Sequence, residues 1–169
     1  LTEYGLISKL LHWVSAILLL IQIPLGFYLV DLDFGPERLN TENIHVVVGL
    51  AIFYLVIFRL INNILNPTPK LEPNIFKGQK LLAKLNHVLL YVTILSITIS
   101  GILKKLFNGE ALIIIFKKIR IQNNFELSEL FYDVHIFSNY LMITLIIIHL
   151  MAVVTHKLFF NDNLLKKIL

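Results

Sequence analysis

Six histidines are the residues of this 169-residue chain whose type and spacing could do chemistry. Three of them, His135, His149 and His156, stand in YDVHIFSNYLMITLIIIHLMAVVTHKLFF, residues 132–160, a stretch otherwise apolar enough for a membrane. The 14 residues between His135 and His149 give, on an α-helix, about 21 Å of rise and a rotation about 40° short of four whole turns. Both therefore face one way at opposite depths, and His156 follows about 20° off the same stripe. Charge or polarity inside a spanning helix is expensive and marks function.

The same interval recurs in the other apolar segments, between His12 and Gly26, His45 and Arg59, and His87 and Gly101. Each helix thus shows a selected residue to the interior at two levels. Gly26, His45, Gly101 and His135 make the outer level, and His12, Arg59, His87 and His149 the inner one. Imidazoles from two helices are suited to ligate the iron of a flat macrocycle from above and below. At the outer level the one available pair is His45 and His135. Glycines at 26 and 101 leave room at a ring edge, or serve as ordinary packing positions between membrane helices. At the inner level His149 faces inward, and spacing leaves its partner open between His12 and His87. Arg59 has no Asp or Glu within the apolar spans to pair with, so a haem propionate is a fitting partner; snorkelling to the inner surface is the plainer reading. Imidazoles also suit zinc, nickel and iron ions, which keeps divalent-metal transport as a remote alternative. Against it, those spans carry no Asp, Glu or Cys.

The elements that position these residues follow from composition. With 57% hydrophobic residues and a mean hydropathy of +0.78, the chain reads as a small integral membrane protein. A hydrocarbon core of roughly 30 Å needs about 20 apolar residues per helix, and four segments qualify, at about 8–30, 43–64, 81–103 and 134–158. The first runs on to Pro24 and Gly26 without a small-residue cleavage site and is expected to be a retained helix. Gly35-Pro36, Asn66-Pro67-Thr68-Pro69 with Pro73 and Gly78, and Asn108-Gly109 punctuate the spans. The absence of cysteine excludes disulfides, Cys-ligated clusters and thiolate chemistry. The expected fold is an all-α, integral membrane four-helix bundle, a single domain over residues 1–169.

Lys and Arg set the orientation. Nine accompany the termini and the second loop (Lys9, Arg59, Lys70, Lys77, Lys80, Lys84, Lys157, Lys166, Lys167) against six on the other face, which places both termini in the cytoplasm. The outer third loop holds Lys104, Lys105, Lys117, Lys118 and Arg120, either a solvated surface or a patch that attracts an anion. Its stretch EALIIIFKKIRI, residues 110–121, is too short to span and suits a helix lying in the outer interface.

These residues also resemble a known family. LLHW at 10–13, NIHVVVGL at 43–50, FRL at 58–60, NPTP at 66–69, LNHVLLY at 85–91, SGIL at 100–103, the three later histidines and FFNDNLL at 159–165 run in family order over almost the whole chain. Together they are similar to the bacterial cytochrome b561 family of small di-haem membrane cytochromes, best known for superoxide:ubiquinone oxidoreduction. The resemblance implies that His12 and His149 hold an inner haem b and His45 and His135 an outer one. It leaves His87 and His156 near the cytoplasmic surface as candidates for binding quinone or relaying its protons, a task suited to imidazole. Family members often carry His-His where this chain has His156-Lys157, and Lys157 is then a further donor to a quinone oxygen. Expected partners are the lipid membrane, ubiquinone, and either superoxide or a periplasmic redox protein, with a homodimer admissible and no nucleic acid. The implied function is electron transfer across the bacterial inner membrane. The alternative is a cytochrome b subunit exchanging electrons between quinone and a periplasmic redox protein.

Overall fold

A computed structural model describes residues 4–66, 77–159 and 168. Four long helices are present: α1 Leu6–Asp31, α2 Pro36–Leu65, α3 Lys77–Phe107 and α4 Phe125–Phe159. All four are long and apolar enough to cross a membrane, and the fold is an all-α four-helix membrane bundle. Each helix runs beyond its expected span, because hydropathy marks only the hydrocarbon portion. Polar turns prolong it: Glu37 stands in the first turn of α2, Glu126 in that of α4, and Lys104 and Lys105 in the last turn of α3. Each charge has the sign that its helix end favours.

The connections are locally specified. Pro36 opens α2 where its missing N–H costs nothing, just past the turn at 32–35. α3 closes on Gly109, whose φ of 81° admits the left-handed conformation. There Gly109 N donates to Leu106 O and Glu110 N to Lys105 O, the paired bonds of a Schellman cap. Asn124 caps α4 by accepting from Leu127 N at 3.1 Å. The end carrying the 32–35 turn and the α3–α4 connection is here termed outer. Lys70, the prolines of 67–73, Lys166, Lys167 and residues 160–165 lie outside the described residues.

The α3–α4 connection departs from expectation. Residues 110–121 form no interfacial helix but an antiparallel hairpin, β1 Leu112–Ile114 with β2 Lys117–Ile119, in the register Leu112↔Ile119, Ile113↔Lys118 and Ile114↔Lys117. Three consecutive β-branched residues, Ile113 to Ile115, favour a pleated strand over a short helix. Arg120 Nε closes the base by donating to Gly109 O at 3.0 Å.

α3 packs most extensively on α4, and α1 on α2. A small core of Ile52, Val56, Ile94 and Met142 sits between the two histidine levels, flanked by Leu18, Leu19 and Ile23 of α1. Ser96 and Ser138 bond across α3 and α4 at 2.9 Å, the kind of polar contact that joins helices where lipid offers no hydrophobic drive.

Candidate haem sites

The outer level assembles as the 14-residue interval requires. Gly26 of α1, His45 of α2, Gly101 of α3 and His135 of α4 line one cavity of about 300 Å³, and the two imidazole centroids lie 6.1 Å apart. Apolar side chains make up most of its wall, and Gln22, Glu42, Lys104 and Lys105 are among its polar members. His135 Nδ1 donates to Ile97 O at 2.8 Å. That bond puts the ring proton on Nδ1 and leaves Nε2 with a lone pair, the state in which histidine binds metal.

The two glycines also make room for the histidines themselves. A Cβ on Gly26 would stand 3.1 Å from His45 Cε1, and one on Gly101 would stand 3.2 Å from both Cε1 and Nδ1 of His135. Each imidazole is seated against a glycine of a neighbouring helix.

The inner level brings together His12, Arg59, His87 and His149, close enough for their charges to interact. Arg59 Nη2 donates to His12 Nδ1 at 2.7 Å and its guanidinium lies over Tyr91, 5.3 Å from the ring centroid. Arg59 therefore has partners that sequence reasoning did not find, though both are neutral. His87 and His149 have ring centroids 5.3 Å apart, and His87 Nδ1 donates to Ala83 O at 2.8 Å. His12 and His149 are half-buried, and His87 has the more accessible side chain. On α4, His156 follows half-buried and Lys157 exposed, both in the last turn.

The residues present fit haem by the chemistry of what they lack. His45 Nδ1 and Gln22 Oε1, both of the outer cavity wall, are buried polar atoms with no hydrogen-bond partner, and such atoms are rare in a completed site. Asn86 Nδ2 lies 3.3 Å from His149 Nδ1. Turning that amide over lets Oδ1 accept from Nδ1–H and frees His149 Nε2. Among the described residues no three His, Cys, Asp or Glu converge on a metal ion. At the outer level the donors come as one imidazole pair, His45 with His135, which is what a macrocycle that already supplies four nitrogens requires.

A model of the prokaryotic cytochrome b561 family matches residues 3–169. The chain belongs to that family. Its members generally bind haem b and serve electron transfer across membranes, and this chain is a multi-pass bacterial membrane protein. One relative, "Cytochrome b561 homolog 2" of Escherichia coli (strain K12), is 28% identical over 109 residues, 64% of this chain. The match spans 58% of that relative's length.

Two further features of the cytochrome were not apparent in its sequence. Lys105 is buried between Glu42 Oε1 at 2.7 Å and Glu110 Oε2 at 2.6 Å, so it is withdrawn from the outer basic patch. Glu42, three residues before His45 on the same helical face, was the available signal. Gln22, four residues before Gly26, donates to His45 O at 2.8 Å and so ties α1 to α2 beside the cavity.

Proposed function

We propose that this cytochrome carries two b-type haems and passes electrons from superoxide at the periplasmic side to ubiquinone near the cytoplasmic face of the inner membrane, with both termini cytoplasmic. His45 and His135 would hold the outer haem, His12 and His149 the inner one. The outer cavity carries the reading, since an apolar chamber flanked by two imidazoles and two glycines suits a flat iron macrocycle. When bound, haem b supplies a one-electron iron couple tuned by its ligands and burial.

The chain's own residues do the rest. Gly26 and Gly101 let the imidazoles of His45 and His135 retreat toward the helix backbones, and Ile97 O orients the second of them. The family resemblance assigns His12 rather than His87 to the inner haem, His12 being the less accessible of the two, and Arg59, which now donates to it, is placed to turn to a propionate. His87, His156 and Lys157 are left to bind a quinone carbonyl and move its protons. Lys104, Lys117, Lys118 and Arg120 remain to steer an anion; Lys105 does not.

Stopped-flow decay of superoxide with the purified, quinone-loaded protein tests this. The expected result is catalysis that slows as ionic strength rises, with the slope reduced by Lys117→Gln with Lys118→Gln. Indifference to superoxide, with rapid reduction by a periplasmic redox protein, would overturn the donor and leave the ligand assignment standing. That second reading has its own observation: Phe34 is 95% exposed on the outer turn with Arg38 over its ring at 4.7 Å, an apolar-basic pair suited to docking.

A further inference from the structure

The tip of the α3–α4 hairpin is built of the wrong residues for a turn in water. A two-residue hairpin loop with positive φ at both positions favours Asn-Gly. Here the two positions are Ile115, φ 49°, and Phe116, φ 63°. A β-branched residue rarely takes that conformation, so these side chains serve something other than the turn. Phe116 is 99% exposed, and Ile113 and Ile115 project outward beside it.

The depth of the tip says what they meet. Ile115 N donates to the hydroxyl of Tyr54 at 3.1 Å. Tyr54 lies ten residues beyond Ile44, where the apolar part of α2 begins, which is about 15 Å down the helix axis and near the middle of a roughly 30 Å hydrocarbon core. Its side chain leans back toward the start of α2, so its hydroxyl is shallower than its Cα but still within the apolar stretch. A free backbone amide at that depth is costly, and the Tyr54 hydroxyl satisfies it. Leu112, at the root of β1, is buried in the wall of the outer cavity, about 10 Å up the strand from the tip. The return strand carries Lys117 and Lys118, whose long stems let the ammonium groups rise to headgroup level.

We propose that the hairpin is a re-entrant wedge: its Ile113, Ile115 and Phe116 side chains sit among acyl chains of the outer leaflet beside α2, while Leu112 closes the outer cavity from behind. The occupant of this surface is lipid. The inference does not depend on which donor or acceptor the cytochrome uses.

The chain has no cysteine, so Phe116→Cys gives a single site for a nitroxide label. The protein would be reconstituted in phosphatidylethanolamine–phosphatidylglycerol vesicles and its power saturation measured with oxygen and with a water-soluble nickel chelate. Gln122→Cys, exposed beyond the hairpin, serves as the aqueous reference. A label at 116 should collide with oxygen several-fold more, relative to nickel, than one at 122. Ile113→Cys reports the same surface if Phe116→Cys fails to fold. Nickel access equal to that at 122 would place the tip in water, and exclusion of both reagents would place it under protein; either result overturns the proposal.

Discussion

The contact between Gly101 and His135 supports a quantitative prediction. An alanine Cβ at Gly101 would lie 3.2 Å from Cε1 and Nδ1 of His135, where carbon contacts prefer about 3.5–4.0 Å. The imidazole must retreat by about 0.3 Å or more to reach that range. It is fixed by a 2.8 Å bond to Ile97 O, on the same helix one turn before the substituted residue, so backing away stretches that bond. Losing much of a hydrogen bond costs about 1 kcal/mol and crowding a packed site about 1–3 kcal/mol. A total of roughly 2 kcal/mol corresponds to a loss of more than tenfold in occupancy-weighted affinity at the outer site. Gly26→Ala, 3.1 Å from His45 Cε1, should act the same way on the other ligand. Gly5→Ala is the control, because nothing lies within 4 Å of its added carbon. The assay is haem per chain by pyridine haemochrome after dialysis against a haem scavenger, with the reduced-minus-oxidised spectrum assigning the haem lost. Full outer-haem retention in both Gly26→Ala and Gly101→Ala would refute the idea that each imidazole is seated against a glycine.

Arg59→Leu removes a cation from the inner level, which stabilises oxidised iron; redox titration should show the inner couple fall by on the order of 60 mV, equivalent to about 1.4 kcal/mol for one electron, with the outer couple unmoved. At Glu110, burial works to raise the carboxyl, but hydrogen bonds from Lys105 and Asn108 and the charges of Lys105 and Lys104 outweigh it and hold it below its ordinary value of 4.5. A depressed carboxyl stabilises the fold above its unfolded pKa and loses that contribution as pH falls through the folded one. Thermal unfolding should therefore show an acid-side loss below about pH 4.5 that is smaller in Glu110→Gln, and identical pH profiles would contradict it.

Much of the architecture was readable because a helix has fixed rise and rotation. Fourteen residues return a side chain to nearly the same face, so Gly26, His45, Gly101 and His135 could be grouped without coordinates, and the cavity they share has them in its wall. What spacing cannot do is choose between residues that face one interior from different helices. Spacing therefore admits both His12 and His87 as the partner of His149, and they differ in the structure by their exposure. The hairpin was hidden because Ile and Phe occupy the positions where turn chemistry calls for Asn and Gly. Lys105 looked like one more surface cation, since its partner Glu42 lies 63 residues away. Helix ends were underestimated wherever charged turns continued an apolar span, as at Lys104 and Lys105.

Two haems in this bundle can be counted directly, as haem per chain in the purified wild type, in His45→Ala and in His149→Ala. The expected result is two b-type haems in the wild type and one in each variant, the outer lost with His45 and the inner with His149. A folded wild-type protein that binds a single haem, or a His45→Ala protein that keeps both, would contradict it.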